Sequence, residues 1–185
     1  AYAVPDVFAF LDAADLQFGR WVRQAPYTAR CGVLRSLPHG RRIAALPSAE
    51  HFAAVELFRG TMTRHSLICH RSDDPLANVG FEGDAWRDFV PIRTATALSV
   101  EEDLPAGIAA ALLNRAHTDP DLVLLVDEAG KQTFDSIDGE RTISDIGCGD
   151  AGLFEQLWWQ DLVVFDACAK GGGRMSGIDP DPLSR

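Results

Sequence analysis

Basic residues are scarce in this sequence. Lys and Arg number 17 against 27 Asp and Glu over 185 residues, a formal net charge of −10 at pH 7. Nonspecific binding to nucleic acid or to an anionic membrane draws on a surplus of Lys and Arg, so the charge argues against both. Long apolar runs are missing too. The longest compact one, Leu122 to Val126 ("LVLLV"), is far short of the roughly 20 residues that a membrane-spanning helix needs. Cysteine is limited to Cys31, Cys69, Cys148 and Cys168, and no two of them form a CxxC pair. Structural zinc sites use closer ligand pairs, so the expectation is free thiols in a reducing cytoplasm. The opening "AYAVPDVFAF" has no basic head and no signal-peptide shape. It begins in the middle of an organised pattern without Met, which fits a fragment of a longer chain. A GxSxG nucleophile turn is also lacking.

What is present is globular. Hydrophobic residues make up 46% and charged residues 24%, enough for a core without metal or disulfide staples. Pro5 and Asp6 suit the first turn of a helix on which Val7, Phe10 and Leu11 share a face. "LQFGRWV" then alternates like a strand. Ser48 is a candidate N-cap for a helix carrying Phe52, Val55, Phe58 and Met62 as a core-facing stripe. "RHSLICHRS" reads as a half-buried strand, and "DFVPIRTATALSVEED" as extended chain with Pro91 at an edge or bend. "PAGIAAALLNRA" reads as a short helix opened by Pro105. The last third runs from the apolar "LVLLV" into a helix ending at "DG". A second helix is opened by Thr142 with Asp145 as a loose capping box, then come the helix "AGLFEQLWWQ" and the strand "DLVVFDA". Helix, short helix, longer helix and strand is the order of a small winged-helix module. The tail "KGGGRMSGIDPDPLSR" is composed like a flexible terminus.

"ISDIGCGDAGLF", Ile143 to Phe154, has the look of an S-adenosylmethionine loop. Such a loop must follow a buried parallel strand and open a helix. The residues before it, "DGERTISDI", are polar and carry a helix-start signal instead. Only 35 residues follow Asp150, whereas one strand–helix–strand unit takes about 30. The expectation is that Gly147 and Gly149 make a turn between two helices.

Other constellations are weaker still. His65 and His70 fall on opposite sides of a strand. His117, Asp119 and Asp121 could form a small acidic metal site, but Asp beside Pro120 also caps turns without a metal. Cys148 lies between two glycines with no assignable partner base. Trp158 and Trp159 are adjacent on one helix and cannot face the same direction. Either one packs and the other offers an interaction surface to a partner domain, or both are covered by the tail or another element of this chain. That helix has no Lys or Arg, which argues against a DNA-reading role for the module.

The chain as a whole resembles a known arrangement. "AYAVPDVFAFLDAADLQFGRWVRQAPY" is similar to the segment just after the catalytic core of certain bacterial class I methyltransferases. "AVELFRGTMTRHSLICHRSDD" is similar to the regulatory region of their C-terminal extension. "DAWRDFVPIRT", "LPAGIAAALLNRAHTDPDLVLLVD" and "LFEQLWWQDLVVFDA" resemble its remaining blocks, up to about Ala169. The resemblance implies the C-terminal accessory or regulatory region of an S-adenosylmethionine-dependent methyltransferase. S-adenosylmethionine would then bind in the attached core, and no catalytic, cofactor or metal residue can be assigned in this chain. The implied partners are that catalytic core and a protein or peptide substrate.

The fold expectation is α+β. It comprises a helix-rich region with a few strands over 1–101, a winged-helix-like module over 102–169 and a flexible tail over 170–185. Two alternatives remain open: a stand-alone peptide-binding partner of a modifying enzyme, and a small permuted methyltransferase using the 145–152 loop.

Overall fold

The structure is a computed structural model that describes residues 2–73, 79–147 and 150–166. It is a mixed α+β fold with small antiparallel sheets. The chain opens with helix α1 (Val4–Ala13), whose first turn contains Pro5 and Asp6. The Asp6 carboxylate accepts from the Ala3 N–H at 2.9 Å and closes the free helix end. Val4, Val7 and Leu11 form the buried seam, while Phe10 is 61% exposed. The expected apolar face is therefore rotated, and Val4 takes the place that Phe10 was to fill. Asp15, at φ 55°, turns the chain into strand β1 (Leu16–Trp21).

A short 3-10 turn (Ala25–Tyr27) leads to helices α2 (Gly32–Ser36), α3 (Pro38–Ala44) and α4 (Ser48–Arg59). Pro47, not Ser48, is the N-cap of α4, and no side chain caps this helix. Phe52 and Val55 are buried as the stripe requires, but Phe58 is 44% exposed. Gly60 ends the helix in a left-handed conformation at φ 64°, so Met62 lies beyond it. Strand β2 (Leu67–Arg71) returns antiparallel to β1. The register shifts between Phe18 and Arg20, at Gly19. A Cβ on Gly19 would lie 2.9 Å from the Ile68 carbonyl oxygen, so the bulge needs glycine. Val4, Val7, Leu11, Trp21, Tyr27 and Phe52 form the first core, with Trp21 stacked on Tyr27 at 4.0 Å between ring centroids.

The second body contains a 3-10 turn (Ala85–Asp88) and strands β3 (Val90–Arg93), β4 (Ala97–Val100), β5 (Ala110–Asn114) and β6 (Val123–Val126). Helices α5 (Glu128–Asp135), α6 (Ile143–Ile146) and α7 (Ala151–Trp159) follow, and then strand β7 (Val163–Asp166). β4, β5 and β6 form an antiparallel meander, while β7 pairs antiparallel with β3. Residues 110–114 thus form a strand where the Ala- and Leu-rich composition predicts a helix. Ala110, Leu112 and Asn114 are buried in strict alternation between two partner strands. Tertiary pairing of that kind overrides a helix propensity worth only tenths of a kcal/mol per residue, on the order of 0.5.

The capping box at α6 forms as expected. Thr142 Oγ1 accepts from the Asp145 N–H, and Asp145 accepts from the Thr142 N–H, both at 3.2 Å. The second core gathers Trp86, Leu112, Leu124, Phe134, Ile137, Phe154 and Leu157, among others. Trp86, β3 and β4 precede residue 102 in sequence, yet they pack or pair with this second body. The sequence boundary at 101/102 falls in the connection between β4 and β5. Among the described residues no helix is long and apolar enough to cross a membrane.

Candidate functional site

The two bodies meet behind the C-terminus of α7. The Leu162 N–H bonds to the Leu157 carbonyl at 2.9 Å, and Asp161 adopts φ 55°. This tight reversal places the Asp161 side chain, 6% exposed, inside the junction. Its Oδ2 accepts from the Gln24 N–H at 2.7 Å, the Ala25 N–H at 3.0 Å and His117 Nε2 at 3.1 Å. Its Oδ1 accepts from the Arg20 guanidinium at 3.4 Å. The Asp161 backbone carbonyl accepts from Asn114 Nδ2 at 2.7 Å and Thr94 Oγ1 at 3.0 Å. One residue therefore joins β1, the turn after it, β5 and the β3–β4 link. A buried carboxylate is tolerated only when so fully bonded.

Arg20 lies at the outer edge of this network. Burial lowers its pKa from the ordinary value, and the Asp161 charge partly restores it. Its guanidinium sits 4.3 Å from the centroid of the Trp158 ring, a cation–π contact. Trp158 also packs 5.7 Å from Phe165. Trp159 points to a different neighbourhood. It packs against Ala25, Cys31 and Leu122, and Arg30 lies over it at 5.2 Å.

Both tryptophans border one groove of about 420 Å³. Phe18, Trp21 and Phe52 supply its aromatic wall from the first body, with Arg20, Gln24, Ile68 and His70 beside them. Trp158 and Trp159 supply the wall from α7. Two polar atoms of lining residues, Trp21 Nε1 and His70 Nδ1, are buried without a hydrogen-bond partner. Buried polar groups are almost always paired, and His117 Nδ1, on the ring that bonds Asp161, is a third unpaired atom. The tryptophans were visible in the sequence, and His70 was weighed there only beside His65; Arg20, Trp21 and Asp161 were not singled out. An acid ahead of an apolar strand is ordinary, and nothing local to "QDL" signals four partners more than 40 residues away.

The other sequence candidates have different roles. His117, Asp119 and Asp121 do not assemble into a metal site. His117 bonds Asp161, while Arg59, 6% exposed, lies 3.2 Å from Asp119 and 3.1 Å from Asp121. Burial pushes the Asp121 carboxyl up, but the Val33 N–H and Arg59 together hold it below the ordinary carboxylate value. No group of three His, Cys, Asp or Glu side chains is placed for a metal among the described residues. His65 bonds the Tyr27 hydroxyl at 2.8 Å and the Tyr2 carbonyl at 2.7 Å. His65 precedes β2, which begins at Leu67 and contains His70, so the two are not on opposite sides of one strand.

The glycine loop is preceded by helix α6, not by a strand. Gly147, at φ 79°, caps α6, and Asp150 caps α7 by accepting from the Gly152 N–H at 2.9 Å. Cys148 and Gly149 lie outside the described residues, as do the tail at 170–185 and Cys168. No protein-family model matches this chain, and no curated protein matches it in sequence.

Proposed function

We propose that this chain is the non-catalytic accessory or regulatory region of a class I S-adenosylmethionine-dependent methyltransferase. In this reading the groove between the two bodies holds part of the substrate for a catalytic core carried elsewhere in the polypeptide, in the cytoplasm. The observation that carries it is the convergence of Trp158, Trp159 and Arg20 on an aromatic groove. Concave, largely apolar clefts with a few polar groups at a junction of bodies are where ligands bind. The resemblance of successive sequence blocks to methyltransferase extensions supplies the enzyme class.

The order α5, α6, α7, β7 supports a winged-helix-like reading of the second body, with β3 serving as the partner strand of β7. The α7 segment has no basic residue, which favours a role other than DNA reading. The groove positions substrate, and methyl transfer takes place in the core.

The test uses the full-length gene product. An open reading frame that runs upstream of Ala1 into a glycine-rich strand–loop–helix is expected. In that enzyme, Trp158→Ala with Trp159→Ala raises the KM for the methyl acceptor by about tenfold or more, as loss of an aromatic anchor does. The KM for S-adenosylmethionine stays unchanged. A start codon close to Ala1 overturns the reading in favour of a stand-alone binding protein.

A further inference from the structure

The chemistry of the groove wall restricts what can occupy it. A Trp indole nitrogen carries a hydrogen and can only donate, and a guanidinium likewise only donates. Trp21 Nε1 is buried and has no acceptor, while His70 Nδ1, also buried and unpaired, donates or accepts according to tautomer. Arg20 gives one N–H to the Trp21 carbonyl at 3.2 Å and another to Asp161 at 3.4 Å, so three of its five N–H groups are not engaged by those bonds. Arg20 is also the most distant of the Asp161 side-chain partners, since the other three lie at 2.7, 3.0 and 3.1 Å. Asp161 keeps those three if Arg20 turns partly toward a ligand. No Asp or Glu lines the groove among the described residues, although the chain as a whole carries −10. Arg20 is the one Lys or Arg on the groove lining among the described residues, and Asp161 lies 3.4 Å from it.

Phe18, Phe52, Ile68, Trp158 and Trp159 give the groove a large apolar border, with Gln24, Ser48 and His70 as further polar residues. The volume, about 420 Å³, falls in the range of small-molecule sites, roughly 300–1,000 Å³.

We propose that this groove binds a small free carboxylic acid with an aromatic or branched apolar body, the carboxylate on Arg20 and the body among Phe18, Trp158 and Trp159. This ligand class rests on the substrate-groove reading given above and deepens it. Charge-assisted bonds from a guanidinium to a carboxylate are about twice as strong as neutral ones, and the poorly solvated Arg20 gains more from them than an exposed arginine does. Ring contact with the tryptophans adds affinity without charge preference.

The test is calorimetric titration of this 185-residue chain with a matched series: 3-phenylpropionate, 3-phenylpropionamide and 3-phenylpropylamine. The acid is expected to bind below about 1 mM, the amide about tenfold more weakly and the amine not at all. Arg20→Met removes the preference for acid over amide. Trp159→Ala weakens acid and amide alike. Because Arg20→Met also loosens Asp161 and can unfold the chain, the Trp21 indole N–H resonance is followed in the unmodified protein. It shifts on adding acid and stays in place with amine.

Binding of the amine as tight as the acid overturns the proposal. So does absence of acid binding at about 1 mM, or acid binding that is unchanged in Trp159→Ala. These failures are separable from failure of the accessory reading. A full-length enzyme whose acceptor KM rises in the Trp158 and Trp159 variants upholds that reading even when no simple acid binds.

Discussion

Asp161 shows how much one residue can hold. Truncating one partner of a buried charge pair leaves the others desolvated and unpaired, typically at a cost of about 3–5 kcal/mol. Asp161→Ala is expected to lose stability in that range by urea denaturation, with Asp161→Asn milder because it keeps one acceptor oxygen and tolerates positive φ. Cys31 is 1% exposed and burial pushes its thiol up, whereas Cys69 is exposed. Brief alkylation of the native chain at neutral pH should therefore label Cys69 and spare Cys31.

His51 sets a pH dependence. Burial first, and the Arg30 charge second, lower its pKa from 6.5. Its Nε2 accepts from the Ala29 N–H at 2.8 Å, which requires an unprotonated nitrogen. The unfolded chain takes up this proton near 6.5 and the folded chain only at lower pH, so the unfolded state binds more protons in between. Stability is full above that value and falls as pH drops through it. Urea midpoints recorded from about pH 7.5 to 5.5 should decline, and His51→Gln should flatten that component.

At the scale of elements, local signals were read well where the local physics decides. Thr142 and Asp145 sit three residues apart because the capping box spans one helical turn, and α6 begins where they predict. Strands β1, β2, β6 and β7 follow from alternation or from apolar runs between turns. The failures have a common cause in tertiary partners. Phe10 and Phe58 satisfy helical spacing, yet they face outward because Val4 and Phe52 take the core positions. Residues 110–114 are good helix formers held as a strand by β4 and β6. Leu112, fully buried in that strand, is a direct check. Leu112→Ala should cost about 2–5 kcal/mol, as buried Leu truncations do, with the loss read from the urea midpoint. A helical 110–114 segment on the surface would show almost no change.

At the scale of the molecule, the sequence conveyed the α+β class and the net negative charge. It did not convey the groove, because that site is assembled from β1, β2, the end of α7 and the strand-linked Asp161 network, segments as far apart as Phe18 and Trp159. Arg20 is an unremarkable strand residue until α7 brings Trp158 against it. The likeness of Ile143–Phe154 to a cofactor loop has a structural explanation: an αL glycine and an Asp cap between consecutive helices reproduce the same residue types without the strand that a nucleotide site needs.

Under the proposed function, methyl-donor chemistry belongs to a separate core and this chain binds no methyl donor itself. Calorimetric titration of the chain with S-adenosylmethionine and S-adenosylhomocysteine tests it most directly. No heat of binding is predicted at about 1 mM of either ligand. Micromolar binding that disappears in Gly147→Ala and Asp145→Ala, with folding intact, would contradict the account and make the 145–152 loop a working cofactor site.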